Sequence, residues 1–151
     1  MEKSRMEYVY KLLYSEDKDY TVSEIKGITN SELLHIIAGN YNWDNGFEVP
    51  YSIINNENCD LGTALMIFYD ADGYRVLECQ DELKNSNLEE WTHFIKELHK
   101  NILSNKYKVN NIKFIPPLTK VQIFKLKKSI SNINDVFLQE SKGEVVEIPV
   151  I

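Results

Sequence analysis

Asp60-Leu61-Gly62-Thr63-Ala64-Leu65-Met66-Ile67-Phe68-Tyr69, followed by Asp70-Ala71-Asp72-Gly73, is apolar on almost every side of a 3.6-residue repeat. A helix of that kind sits in a core, with other elements packed around it. Asp60 stands where a carboxylate accepts a free amide at a helix start. Asp72-Gly73 supplies the stop. The stretch therefore predicts a buried central helix, and the rest of the chain is read as what surrounds it.

Upstream, Pro50 suits the first position of a short helix with Ile53 and Ile54 inward, ended by Asn55-Asn56-Glu57-Asn58. Thr29 and Glu32 have capping-box spacing. They open a helix with Leu33, Leu34, Ile37 and Tyr41 on one side and His35 on the opposite, polar side. Thr21 and Glu24 repeat the spacing and predict a short helix near 23–28, limited by Gly27. Residues 16–19 read as an exposed break. Met6, Val9, Tyr10 and Leu13 give residues 5–14 helical spacing.

Downstream, Leu88, Trp91, Ile95, Leu98 and Ile102 predict the inner face of a helix over 88–104, with His99 at its edge. Residues 112–115, 136–138 and 145–150 read as short strands, and 118–129 as a helix after Pro116-Pro117. The expected fold class is mainly α: a multi-helix bundle or a short helical-repeat-like stack, with a few short C-terminal strands. An α+β arrangement is the alternative.

The 151 residues, 43% hydrophobic and 26% charged, fit one globular domain spanning 1–151. No stretch is long and apolar enough for a bilayer span, and residues 1–14 do not read as a secretory leader. Cys59 and Cys79 do not read as a disulfide framework, and Cys59 reads as a small buried hydrophobe. The expected location is the cytoplasm, with no membrane partner.

Charge is unevenly distributed. Residues 1–99 hold 8 Lys and Arg against 19 Asp and Glu, a net of −11. The basic segment 100–134 holds eight lysines and no acid, and the remainder is −3. The asymmetry marks a partner surface, or a basic segment lying against an acidic body; both readings stand. Lysines interleaved with Tyr107, Phe114 and Phe124 suit a nucleic acid. The absence of arginine from that segment and the acidic total argue against one.

The densest polar and aromatic cluster runs from Asn40 to Pro50. It reads as a binding loop, with Trp43 as an anchor beside Asp44 and Glu48, or as an interhelix loop whose Trp43 and Phe47 plug the core. Asp44, Glu48 and Asp60 suggest paired carboxylates or a hard cation, but the alternating acids of a calcium loop are missing. Asp70-Ala71-Asp72-Gly73 offers too few ligands for a cation. His93 and His99, six apart, do not share the face a metal pair needs. Neither a phosphate-binding glycine loop nor a G-x-S-x-G elbow is present. No catalytic residue, metal ligand or cofactor is assigned.

Glu32-Leu33-Leu34-His35, the run Asn40–Pro50, Cys59–Leu65, Phe68-Tyr69 and Ala71-Asp72-Gly73-Tyr74 together resemble an uncharacterised, mainly bacterial domain family, over a core of about 31–77. The resemblance implies no activity. In size and acidity the chain is similar to the immunity proteins that accompany secreted bacterial toxins. The expected function is a non-enzymatic protein-binding module of that kind, docking on a basic partner such as a toxin through Trp43, Asp44, Glu48, Asp70 and Asp72. The rivals are a small enzyme using Asp44, Glu48, Asp60 and His35, and a helical scaffold that assembles through an exposed surface around Phe114, Val121 and Phe124.

Overall fold

A computed structural model of the chain describes residues 2–79, 88–130 and 132–151. Residue 131 of the basic segment therefore lies outside the described residues. The fold is mainly helical, as the patterning predicts. α1 spans Glu2–Leu13, α2 Lys18–Lys26, α3 Ser31–Gly39, α4 Glu48–Ile54 and α5 Leu61–Asp70. α6 spans Tyr74–Glu78, α7 Glu89–Leu103 and α8 Lys120–Ser129.

α5 is the buried centre: every residue from Gly62 to Phe68 is shielded from solvent. α3 and α7 pack on it, α2 pairs with α4, and α1 lies across α2 and α3. α7 contributes Trp91, Phe94, Ile95, Leu98 and Ile102 to the core. Leu88, expected on that inner face, is exposed and precedes the helix, because α7 begins at Glu89.

Asp60 caps α5 and is itself fully buried. Its carboxylate accepts the Gly62 amide (2.8 Å) and, from a distant segment, those of Asn111 (2.6 Å) and Ile112 (3.2 Å). The cap therefore also fixes where the C-terminal third crosses the helix. Gly62 completes that crossing, since a Cβ there would overlap the Ile112 carbonyl oxygen.

Three other helix starts differ from expectation. Asp17, not Thr21, caps α2 by accepting the Tyr20 amide (3.1 Å), so the helix begins at Lys18 within the expected break. Thr21 is buried inside it and donates to the Leu12 carbonyl (3.0 Å), tying α2 to α1. Asn30, not Thr29, caps α3. Pro50 occupies the third position of α4, still within the first turn, where its missing N–H leaves nothing unpaired.

The C-terminal strands are not seen: among the described residues the only β pairing is an isolated parallel bridge between Ile112 and Glu144. Alternation suits a strand, but a ladder needs a neighbouring edge, and here other groups take the backbone's bonds. Ser141 accepts the Phe114 amide (2.8 Å) and donates to the Ile112 carbonyl (2.9 Å). Asn134 accepts the Val136 amide and starts a 3-10 turn over Asp135–Phe137. Asn40 donates to the Pro149 carbonyl and accepts the Ile151 amide, fixing the last extended run against α3.

Among the described residues, no lysine of the basic segment comes within ion-pair distance of a carboxylate in the acidic body. Lys113 pairs with Glu140 (3.7 Å) and Lys106 donates to Asn55 (3.1 Å). Among the described residues, no α8 lysine comes within ion-pair distance of a carboxylate.

A candidate partner-binding groove

The loop after α3 is built by short-range polar bonds. Asn42 accepts the Asp44 amide (3.0 Å) and opens a 3-10 turn over Trp43–Asn45. Gly46 follows at φ +91°, a conformation that strains any other residue. Tyr41 donates its hydroxyl to the Gly46 carbonyl (2.6 Å). Lys18 reaches across from α2 to the Asn45 carbonyl (2.9 Å) and to Glu48 (3.6 Å).

Inside the loop lies an aromatic cluster centred on Phe94 of α7, which is fully buried. Trp43 and Tyr51 meet that ring edge-on, with centroids 5.9 and 4.9 Å away, and Phe47 tilts against it at 5.2 Å. Tyr41 packs edge-on against Trp43 at 5.4 Å. Trp43 and Phe47 thus close the core end, and Trp43 is half-buried rather than a free anchor.

Outside this cluster runs an open groove of about 600 Å³, lined by Asp44, Glu48, Tyr51, Glu89, Glu90 and His93, with Lys18, paired to Glu48, also on its wall. All four acids are exposed. A second groove of about 740 Å³ shares Glu48 and Tyr51 and continues between α2 and α4, past Asp19 and Glu57. The field of these acids is felt by their neighbours. Burial raises the Tyr51 phenol, and Glu97 and Glu90 raise it further. Burial, and then Glu48, pushes Tyr41 up to about 12. Glu89 and Glu90 were not among the residues expected at the site. They arrive there because α7 starts one turn before Phe94, and acids are favoured in a first helical turn.

Asp70 and Asp72, expected to join Asp44 and Glu48, do not line this groove. They sit at the far end of α5. Asp72 adopts φ +63° in the turn to α6 and pairs with Arg75 (3.6 Å). The Arg75 guanidinium lies over the Trp91 ring, whose Nε1 donates to the Ala71 carbonyl (2.7 Å).

Asp60 and His35 are also elsewhere. Burial holds the Asp60 carboxyl above its usual range, against the lowering pull of its three amide donors. His35, expected on a polar face, is buried, with Nδ1 2.9 Å from the Thr63 hydroxyl of α5. Burial lowers it to about 4. Unfolded, His35 takes up a proton near its ordinary value of 6.5. Its contribution to stability is therefore complete above that pH and is lost as pH falls toward 4, by on the order of 3 kcal/mol. His99, stacked between Phe68 and Phe137 and also lowered by burial, adds the same sign. Urea midpoints at neutral and acid pH should differ clearly in the wild type and less in His35→Gln. An equal acid loss in both proteins contradicts this.

Cys59 is buried, and burial raises its thiol. Among the described residues, no group of three or more His, Cys, Asp or Glu is arranged to hold a metal ion, and no helix is long and apolar enough to cross a membrane.

No curated protein and no solved structure matches the chain. Residues 29–103, from the turn before α3 to the last residue of α7, match the family model described as a domain of unknown function, DUF4274.

Proposed function

We propose that this chain is a protein-binding module whose acid-lined groove receives a basic surface of another protein, and that it serves as an immunity protein covering a bacterial toxin. One observation carries the reading: Asp44, Glu48, Glu89 and Glu90 converge around half-buried Tyr51, on a floor braced by Phe94. Carboxylates at the rim speed encounter with a cationic surface, and a rigid aromatic floor supplies contact area at little entropic cost. The groove is open, which suits a protein surface better than an enclosed small molecule.

The enzyme alternative needs Asp44, Glu48, Asp60 and His35 to converge. Asp44 and Glu48 face the groove, whereas Asp60 is committed to backbone amides and His35 to Thr63. That separation favours the binding reading.

Capture from host lysate on tagged protein tests it. The expected result is one dominant basic protein, retained at low salt and released as ionic strength approaches about 0.5 M, where screening shortens to a few ångströms. Capture of acidic proteins only, or retention independent of salt, speaks against the acidic groove as the site.

A further inference from the structure

α8 presents an outward face that is left exposed among the described residues. Only Leu126 of its ten residues is buried. Val121 and Phe124, three apart and so on one side, are 62% and 64% exposed, and Ile115 in the preceding segment is 61% exposed. Lys120, Lys125 and Lys128 flank them, exposed and, among the described residues, without a carboxylate within ion-pair distance. An apolar centre ringed by cations calls for an apolar floor ringed by anions.

The same chain carries that complement. The groove at α4 and α7 has Phe47 and Tyr51 on its floor and Asp44, Glu48, Glu89 and Glu90 at its rim, where Lys18 pairs with Glu48 and offsets one of the four negative charges. We propose that α8 of one copy docks into this groove of a second copy. Two α8 faces cannot pair with each other, because lysine would meet lysine. The contact is therefore head-to-tail, joining two different surfaces, and each added copy leaves one groove and one α8 unoccupied. A ten-residue helix offers a small contact area, so the association is weak and salt-sensitive. It also occupies the groove of the proposed function, so self-association and partner capture compete. Because it is measured on the pure protein, either proposal can fail without the other.

Sedimentation equilibrium tests it with two variants altered only at exposed positions. Phe124→Asp with Lys128→Glu spoils the helix face, and Asp44→Lys with Glu48→Lys spoils the groove. The average mass of the wild type should rise with concentration at about 50 mM salt and return to that of a monomer at about 500 mM. Each variant alone should remain monomeric. An equimolar mixture retains one good groove and one good helix face, so it should form dimers and nothing larger. A wild type that is monomeric at every concentration overturns the proposal, as does association that survives in either variant or a mixture that forms no dimer. Binding of monomeric wild type, but not Phe124→Asp with Lys128→Glu, to phosphatidylserine vesicles would reassign the face to a lipid surface.

Discussion

Asp60→Ala should destabilise the fold by about 3–5 kcal/mol, more than any substitution on the surface. The carboxylate is fully buried and accepts amides from Gly62, Asn111 and Ile112. Alanine leaves all three donors without this acceptor, those of Gly62 and Ile112 in the buried interior. Relief of the burial that holds the carboxyl above its usual range offsets only part of that loss. Asp60→Asn should recover less than half. Its single carboxamide oxygen can replace one carboxylate oxygen, while its NH2 would face donors. Urea unfolding gives the magnitude, and hydrogen exchange gives the location: protection at Asn111 and Ile112 should fall first. A loss within about 0.5 kcal/mol, the range of an ordinary surface change, contradicts this account of the crossing.

Phe94→Ala should cost a similar amount, about 3–5 kcal/mol, through the cavity left behind. Its consequence reaches further toward function. Phe94 is the ring on which Trp43, Phe47 and Tyr51 all rest. Removing it takes the floor from under the acid-lined groove while leaving every carboxylate in the sequence. A folded population of Phe94→Ala should therefore show altered tryptophan fluorescence from Trp43 and weakened partner binding. Phe94→Leu, which keeps most of the volume, should lie between. Normal binding by a destabilised Phe94→Ala protein would separate the aromatic cluster from the groove's function.

The central helices were legible because their signal is local. α5 is apolar all round behind an aspartate cap, and α7 repeats its apolar face over four turns. The matched domain, residues 29–103, extends past the expected core of 31–77 to include α7, whose Phe94 joins the 40–50 loop to the rest. His35 was misplaced because the side of a helix that looks polar on paper faces Thr63, 28 positions away. The start of α2 was misplaced because Asp17 and Thr21 are both residues that cap. The burial that turned the Thr21 hydroxyl to Leu12 belongs to the packing of α1. The C-terminal alternation was genuine, but serine and asparagine side chains took the bonds a neighbouring strand would have supplied.

The candidate site was half legible. Asp44 and Glu48 do face one groove, beside an aromatic cluster that the sequence left open as binding anchor or core plug and whose Trp43 and Phe47 pack on Phe94. Asp70 and Asp72 were grouped with them by charge alone, and the length of α5 carries them to its other end. Glu89 and Glu90 take their place, brought in by a tertiary contact that no spacing along the chain announces.

The most direct test of the central claim is a comparison of two charge reversals against the captured basic partner, by titration calorimetry at low salt. Asp44→Lys with Glu48→Lys inverts the groove rim at exposed positions and should weaken binding by about 10–100-fold. Asp70→Lys with Asp72→Lys changes net charge equally, away from the groove, and should cost no more than about threefold through long-range attraction. Equal losses from both would mean that the partner senses total charge and that the groove at α4 and α7 is not where it docks.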